Sequence, residues 1–168
     1  AVSLLVPAGA SLTAPATADA QVSDIVDVGL AILVADCTPV LLADPDAGVV
    51  GAVHAGRRGM VDGVIAATVE RMRARGAQDI RAAIGPSIGP RRYEVPQEMR
   101  DEVSTVEPVT ASVTRAGTPA LDVAAGVAEQ LVRRGAALRH RLFQPRGVEA
   151  GIGAQRVRRR EIGDEQVD

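Results

Sequence analysis

Pro39–Ala43 (PVLLA), Asp44–Gly48 (DPDAG) and Val49–His54 (VVGAVH) are the stretch on which the fold turns. Two apolar runs of strand length flank a segment with Asp first, Pro second and Gly last. That order is the chemistry of a reversal: the Asp side chain bonds nearby amides, Pro presets φ, and Gly tolerates a positive φ. The reading is a β-hairpin. Upstream, Gly29–Val34 (GLAILV) is another strand-length apolar run, and residues 7–20 are small, Pro-containing and read as a surface loop.

Downstream the period changes. Met60, Val64, Ala67, Val69 and Met72 recur at helical spacing and predict one helix over 59–75, closed by Gly76. Ile80–Ile84 reads as a short buried strand, and Gly85-Pro86 and Gly89-Pro90 bracket an irregular loop. A short helix is expected over 96–103, starting at Pro96. A further helix is expected to open at Thr118-Pro119 and run to about Arg134, with Leu121, Ala125, Ala128, Leu131 and Val132 on one face. Strands alternating with helices over 168 residues predict a single α/β domain.

Composition narrows the function. Hydrophobic residues make up 46% of the chain, which excludes a disordered polymer. Aromatics are 1%, Tyr93 and Phe143, so the core must be built from Val, Leu, Ile and Ala, and base stacking on aromatic rings is nearly excluded. All 19 basic residues are arginine, which rules out a Schiff-base lysine and a Walker-type phosphate loop. A single Cys excludes an intrachain disulfide. No apolar run reaches the roughly 18–20 residues that span a bilayer. No basic segment precedes the opening AVSLLVPAGA, so it does not read as a signal peptide and a cytoplasmic location is expected. The chain reads as one that starts in mid-domain, incomplete at its N-terminus.

Charge divides the chain. Residues 1–132 carry 10 Arg and 16 acidic residues, whereas residues 133–168 carry 9 Arg and 5 acidic residues. We expect a domain over 1–135 and an Arg-rich, divergent tail over 136–168. Such a tail could bind nucleic acid, but it lacks interleaved aromatics and helical periodicity, so that is the weaker reading.

Cys37 and His54 flank the hairpin. With the turn centred near Pro45–Asp46 they fall opposite one another at its open end, and directly opposed Cβ atoms lie roughly 4.5–5.5 Å apart. A thiolate and an imidazole at that separation can reach one ion. Three readings stand at this point: part of a zinc site, a thiol–imidazole nucleophile pair, and a small buried Cys beside a satisfied His. A catalytic zinc needs a third protein ligand, for which His140 is the candidate within the chain. Asp36, beside the Cys, is a candidate to orient His54.

Four motifs lie in order along the chain: Ala35–Leu42 (ADCTPVLL), His54–Gly59 (HAGRRG), Ile84–Pro90 (IGPSIGP) with Tyr93-Glu94-Val95, and Gly117–Asp122 (GTPALD). Over roughly residues 15–135 they resemble the laccase-domain family, also called the multicopper polyphenol oxidase or purine nucleoside phosphorylase family. The resemblance implies a layered α/β/β/α sandwich. It implies phosphorolysis of adenosine, inosine and S-methyl-5′-thioadenosine to a base and ribose 1-phosphate, with adenosine deamination. It also implies zinc held by Cys37, His54 and an upstream His, with purine nucleosides and phosphate as partners, no membrane, and pairing into a homodimer. Arg58 and Asp36 are then the catalytic candidates.

Departures from the family pattern are specific. The upstream His would precede residue 1, Arg57 stands where the family has Trp, and Arg91 and Arg92 stand where it often has Cys. After about Gly135 the match ends. An older view of the family makes it a copper-dependent phenol oxidase, and one Cys with two His is too few for a multicopper cluster.

Overall fold

The structure, a computed structural model, describes residues 3–7 and 18–141. In chain order the strands begin with β1 (Ser3–Pro7), β2 (Ala20–Ser23), β3 (Val28–Ile32), β4 (Thr38–Asp44) and β5 (Val49–Ala55). Helices α1 (Arg57–Val61) and α2 (Val64–Arg73) follow, then β6 (Arg81–Ile84), α3 (Gln97–Val106) and a 3₁₀ turn at Pro108–Thr110. The described chain closes with β7 (Ala111–Val113), β8 (Pro119–Leu121), α4 (Val123–Arg133) and β9 (Ala137–Arg141). Most of the expected 7–20 loop lies outside the described residues.

The expected hairpin is present as β4 and β5, at the centre of a five-stranded sheet of order β2-β5-β4-β6-β9. All its neighbours pair antiparallel except β6 with β9. Val40, Leu42, Val49 and Val53 point to the helical face and are buried, while Leu41 on the opposite face is 59% exposed. Helices α1, α2 and α4 cover the first face; the β1–β3 ribbon lies against β2 and β5. The result is the expected single mixed α/β domain. No described helix is long and apolar enough to cross a membrane.

Four local expectations are corrected. The helix over 59–75 is two helices, because Gly63 adopts φ +87° and breaks the run between Val61 and Val64. Gly76, at φ +95°, does close the second, with the Ala77 amide reaching back to the Met72 carbonyl at 3.2 Å. The helix placed at Thr118-Pro119 begins only at Val123, since Asp122 caps it by accepting from the Ala125 amide at 2.9 Å, and Pro119–Leu121 is strand β8. Its buried face is Val123, Gly126, Val127 and Leu131, with Val132 left 59% exposed. Finally, β9 carries the sheet past residue 135, so Ala137–Arg141 belongs with the domain; residues beyond 141 lie outside the described set.

The core answers the shortage of aromatics in part with sulfur. Met60 and Met72 are fully buried beside the expected Val, Leu, Ile and Ala. Each thioether occupies space that a glycine leaves open: a Cβ at Gly126 would lie 2.5 Å from the Met60 Sδ, and one at Gly51 would lie 3.2 Å from the Met72 Sδ. An unbranched, polarisable chain suits such irregular gaps.

Asp44 ties the hairpin turn to the rest of the fold. Its Oδ1 accepts from the amides of Asp46 and Ala47 at 3.1 Å, and its Oδ2 accepts from Gln78 at 2.6 Å and Asp79 at 2.9 Å. The Gln78 amide foremost, with those of Ala47, Asp79 and Asp46, holds the Asp44 carboxyl below its ordinary value despite burial. A depressed folded-state value adds stability above the unfolded value near about 4, and that stability is lost as pH falls through the folded value. Asp44→Asn is therefore expected to unfold at lower denaturant than the parent at pH 7, and the gap should narrow on acidification below about pH 4. A gap that does not change with pH would show that the charge contributes nothing.

Candidate metal centre and anion cleft

The candidate residues collect at one end of the central sheet. There β4 begins, and β5 and β6 end. Antiparallel pairing therefore gathers Cys37, the His54–Arg58 segment and the Gly85–Glu94 loop around the same rim. The Ile88 amide donates to the Asp36 carbonyl at 2.9 Å, and the Gly85 amide to the Pro39 carbonyl at 2.9 Å, which ties the loop to the strand. A Cβ at Gly85 would lie 2.8 Å from the Pro39 Cγ, so that crossing requires glycine.

The hairpin register differs from the expected one. His54 pairs with Pro39 and Thr38 with Ala55, because four residues, Pro45–Gly48, separate the paired Asp44 and Val49. Cys37 is thus not directly opposite His54 but one step diagonal to it, and Gly56 falls across from Cys37. A two-residue slip keeps both side chains on the same face. The two converge over Gly56: a Cβ there would sit 3.2 Å from the Cys37 Sγ, 3.5 Å from the His54 Cε1 and 3.8 Å from its Nε2. Gly56 is buried, so the missing side chain leaves a small space bordered by thiol and ring.

His54 is held by a residue that the sequence reading passed over. Its Nδ1–H donates to the Asp19 Oδ1 at 3.0 Å, and its backbone amide donates to the Asp19 carbonyl at 2.8 Å. The His54 side chain is 19% exposed. A carboxylate on Nδ1 fixes the tautomer and leaves Nε2, the nitrogen on the Gly56 side, with its lone pair. The orienting role expected of Asp36 is therefore corrected: Asp36 is exposed, and its backbone carbonyl anchors Ile88 instead. Asp19 was hard to find because strand β2, which places it beside β5, carries no strong strand pattern.

These residues fit two positions of a metal site. Thiolate and imidazole are both zinc ligands, and the Asp19–His54 bond is the outer support that ligating histidines ordinarily have. Among the described residues no group of three or more His, Cys, Asp or Glu is placed to hold an ion. His140, the expected third ligand, lies on β9, and β4 and β6 stand between that strand and β5. At about 4.8 Å per strand spacing this separates the backbones by about 14 Å.

Arg58 is exposed and lines a cleft of about 210 Å³ with Asp19, Gly59, Asp62, Gly63, Val64 and Ala67. The break at Gly63 opens this cleft, and Asp19 borders it, so the cleft adjoins the His54 support. Tyr93 is partly buried against the core, and its carbonyl accepts from Leu121; Glu94 is exposed. Asp122 serves as the α4 cap.

The sequence profile of the multi-copper polyphenol oxidoreductase laccase family matches residues 4–143, and the chain belongs to that family. It is 54% identical over 136 residues to a purine nucleoside phosphorylase of Streptomyces griseus, covering 80% of this chain and 55% of that protein. It is 49% identical over 106 residues to a purine nucleoside phosphorylase of Mycobacterium tuberculosis, covering 62% of this chain and 42% of that protein. The chain thus spans about half the length of the curated relatives it matches. Among solved structures it resembles the Neisseria meningitidis protein NMB0706 of the DUF152 family, with a TM-score of 0.61 and 29% identity over 73% of this chain and 52% of that one. It also resembles YlmD of Geobacillus stearothermophilus, with a TM-score of 0.56 and 32% identity over 64% of this chain and 43% of that one.

The space over Gly56 is directly testable, because Cys37 is the chain's lone thiol. In Gly56→Ala the added methyl occupies the approach to Sγ. Reaction of Cys37 with a disulfide reagent is expected to be slower than in the parent, and an unchanged rate would show that the space is not shared.

Proposed function

We propose that this chain supplies the Cys37–His54 half of a zinc-dependent purine nucleoside phosphorylase. The reaction releases a free base and ribose 1-phosphate from adenosine, inosine or S-methyl-5′-thioadenosine, with deamination of adenosine as a second activity. The observation that carries this reading is the convergence of one thiol and one carboxylate-supported imidazole over Gly56. The names of the curated relatives support it.

Cys37 Sγ and His54 Nε2 would hold the zinc, which in such sites supplies a Lewis acid and a bound water of lowered pKa once a further protein donor completes the set. Asp19 keeps the Nδ1 proton of His54, so that Nε2 remains a base. Gly56 keeps the space between the two donors free of a side chain. In phosphorolysis a phosphate oxygen attacks the anomeric carbon, the glycosidic C–N bond breaks, and the base leaves with the electron pair and gains a proton. Arg58 is the residue we assign to the attacking phosphate, since a guanidinium pairs two phosphate oxygens at once. Asp19 and Asp62 border the same cleft and oppose an anion there, so that pairing depends on Arg58 reaching beyond them.

Metal analysis and a phosphate-dependence assay on the purified protein test the reading together. Expected are bound zinc and release of hypoxanthine from inosine only when phosphate is present, with both lost in Cys37→Ser. Asp19→Asn should stay folded and bind zinc about 10–100-fold more weakly. Zinc-loaded protein that releases no base with phosphate would overturn the proposal, and copper with phenol-dependent oxygen uptake would replace it with an oxidase.

A further inference from the structure

Three arginines lie on two segments that adjoin on the side of the rim away from Arg58. Arg91 and Arg92 lie on the loop after β6, and Arg115 lies on the turn between β7 and β8. The Arg115 amide donates to the Arg91 carbonyl at 3.3 Å, which brings turn and loop into contact. All three residues are exposed.

Neither segment is loose. The Arg92 and Tyr93 amides both return to the Gly89 carbonyl, at 2.9 and 3.2 Å. Strand β8 is bonded to the loop by Val95 to Pro119 at 3.0 Å and by Leu121 to Tyr93 at 3.2 Å. The turn is closed by a 2.6 Å contact between the Thr114 and Thr118 hydroxyls, and the Thr114 hydroxyl also accepts from the Ala116 and Thr118 amides. Arg115 is therefore presented from a fixed turn.

Arg75, Arg81, Arg100, Arg133 and Arg134 each lie within 4.0 Å of a carboxylate. Among the described residues none of Arg91, Arg92 and Arg115 does, although Glu94 and Asp36 are exposed on the same rim. Like charges on adjoining segments repel, and an anion with several oxygens relieves that repulsion while taking the planar forks of more than one guanidinium. One phosphoryl group has too little charge for three arginines, whereas two linked phosphoryl groups match them better.

We propose that Arg91, Arg92 and Arg115 form a binding surface for a ligand carrying linked phosphoryl groups, such as pyrophosphate or the diphosphate of a nucleotide. The surface and Arg58 flank Cys37 from opposite sides, because β6 and β5 flank β4. This goes beyond phosphorolysis and does not depend on it, since binding is read with nothing turned over.

Tyr93, the only tyrosine in a chain without Trp, adjoins Arg92 and reports locally by its emission. The full chain is titrated at low salt with pyrophosphate by Tyr93 emission, and with ADP and adenosine by calorimetry. Pyrophosphate and ADP should bind, and adenosine should bind at least tenfold more weakly than ADP. ADP affinity equal to that of pyrophosphate assigns the surface to the phosphoryl groups alone; tighter ADP binding adds a contact to the nucleoside. The triple variant R91Q/R92Q/R115Q should lose at least tenfold in pyrophosphate affinity with an unchanged far-UV spectrum. R71Q, an exposed arginine on α2, should leave it unchanged. Binding should also weaken as salt rises, since exposed charges are screened within about 10 Å at 0.1 M. Unchanged affinity in the triple variant overturns the proposal. So does a surface that takes a single-stranded oligonucleotide but neither pyrophosphate nor ADP.

Discussion

Asp44 accepts four backbone amides, two from its own turn and two from the segment that enters β6. This one carboxylate sets the length of the β4–β5 turn and fastens it to the segment that leads into β6. Because Asp44 and Val49 remain the last pair, four residues make the turn and the ladder counts forward from there to Pro39 and His54. The far end of the sheet, where Cys37 and His54 lie, inherits its register from this end. Under the expected register Cys37 would face His54 directly; with the observed one the two are diagonal and share the space above Gly56. An anchor at one edge of the hairpin thus decides the geometry at the other.

The site itself is an exercise in leaving space. Gly56 lies beneath the Cys37 thiol and the His54 ring, Gly85 lies beneath Pro39, and Gly63 turns the chain between two helices to open the Arg58 cleft. Each is a position where a side chain would fill the site, clash with the adjoining strand, or be strained by a left-handed backbone. Asp19 contributes from the opposite edge of β5. Its two bonds to His54, one from the side chain and one from the main chain, mean that strand pairing and histidine orientation form together. The support for the His54 ring is therefore part of the sheet and not an added contact.

On the helical face the same economy appears. Met60 and Met72 fill the volume over Gly126 and Gly51, and so let α4 approach α1 and the sheet approach α2 without aromatic residues. Glu107, with its side chain 3% exposed, meets Arg133 through both carboxylate oxygens at 2.7 Å and joins the 3₁₀ turn to α4. A buried charge of this kind holds position more than it adds stability. Together these contacts place α1, and hence Arg57 and Arg58, against the end of β5.

Local chemistry was enough to show the hairpin, the strand at Arg81–Ile84, the Gly76 helix end and the Cys37–His54 pair. Turn residues, apolar period and rare side chains act over a few positions and can be read in one dimension. The break at Gly63, the late start of α4 at Asp122 and the strand character of Pro119–Leu121 could not be read so. They depend on what packs against each segment and on which neighbour takes its backbone bonds. Asp19 was invisible for the same reason, since 35 residues of sequence separate it from His54 and only the β2–β5 ladder brings them together. The three arginines on the rim likewise come from two segments, the loop after β6 and the β7–β8 turn. The sequence by itself determined the residue types that could bind a metal or an anion and the strand pair that carries them. Tertiary structure alone decided which of them meet, because register and strand order are settled by long-range pairing and burial, not by neighbours along the chain.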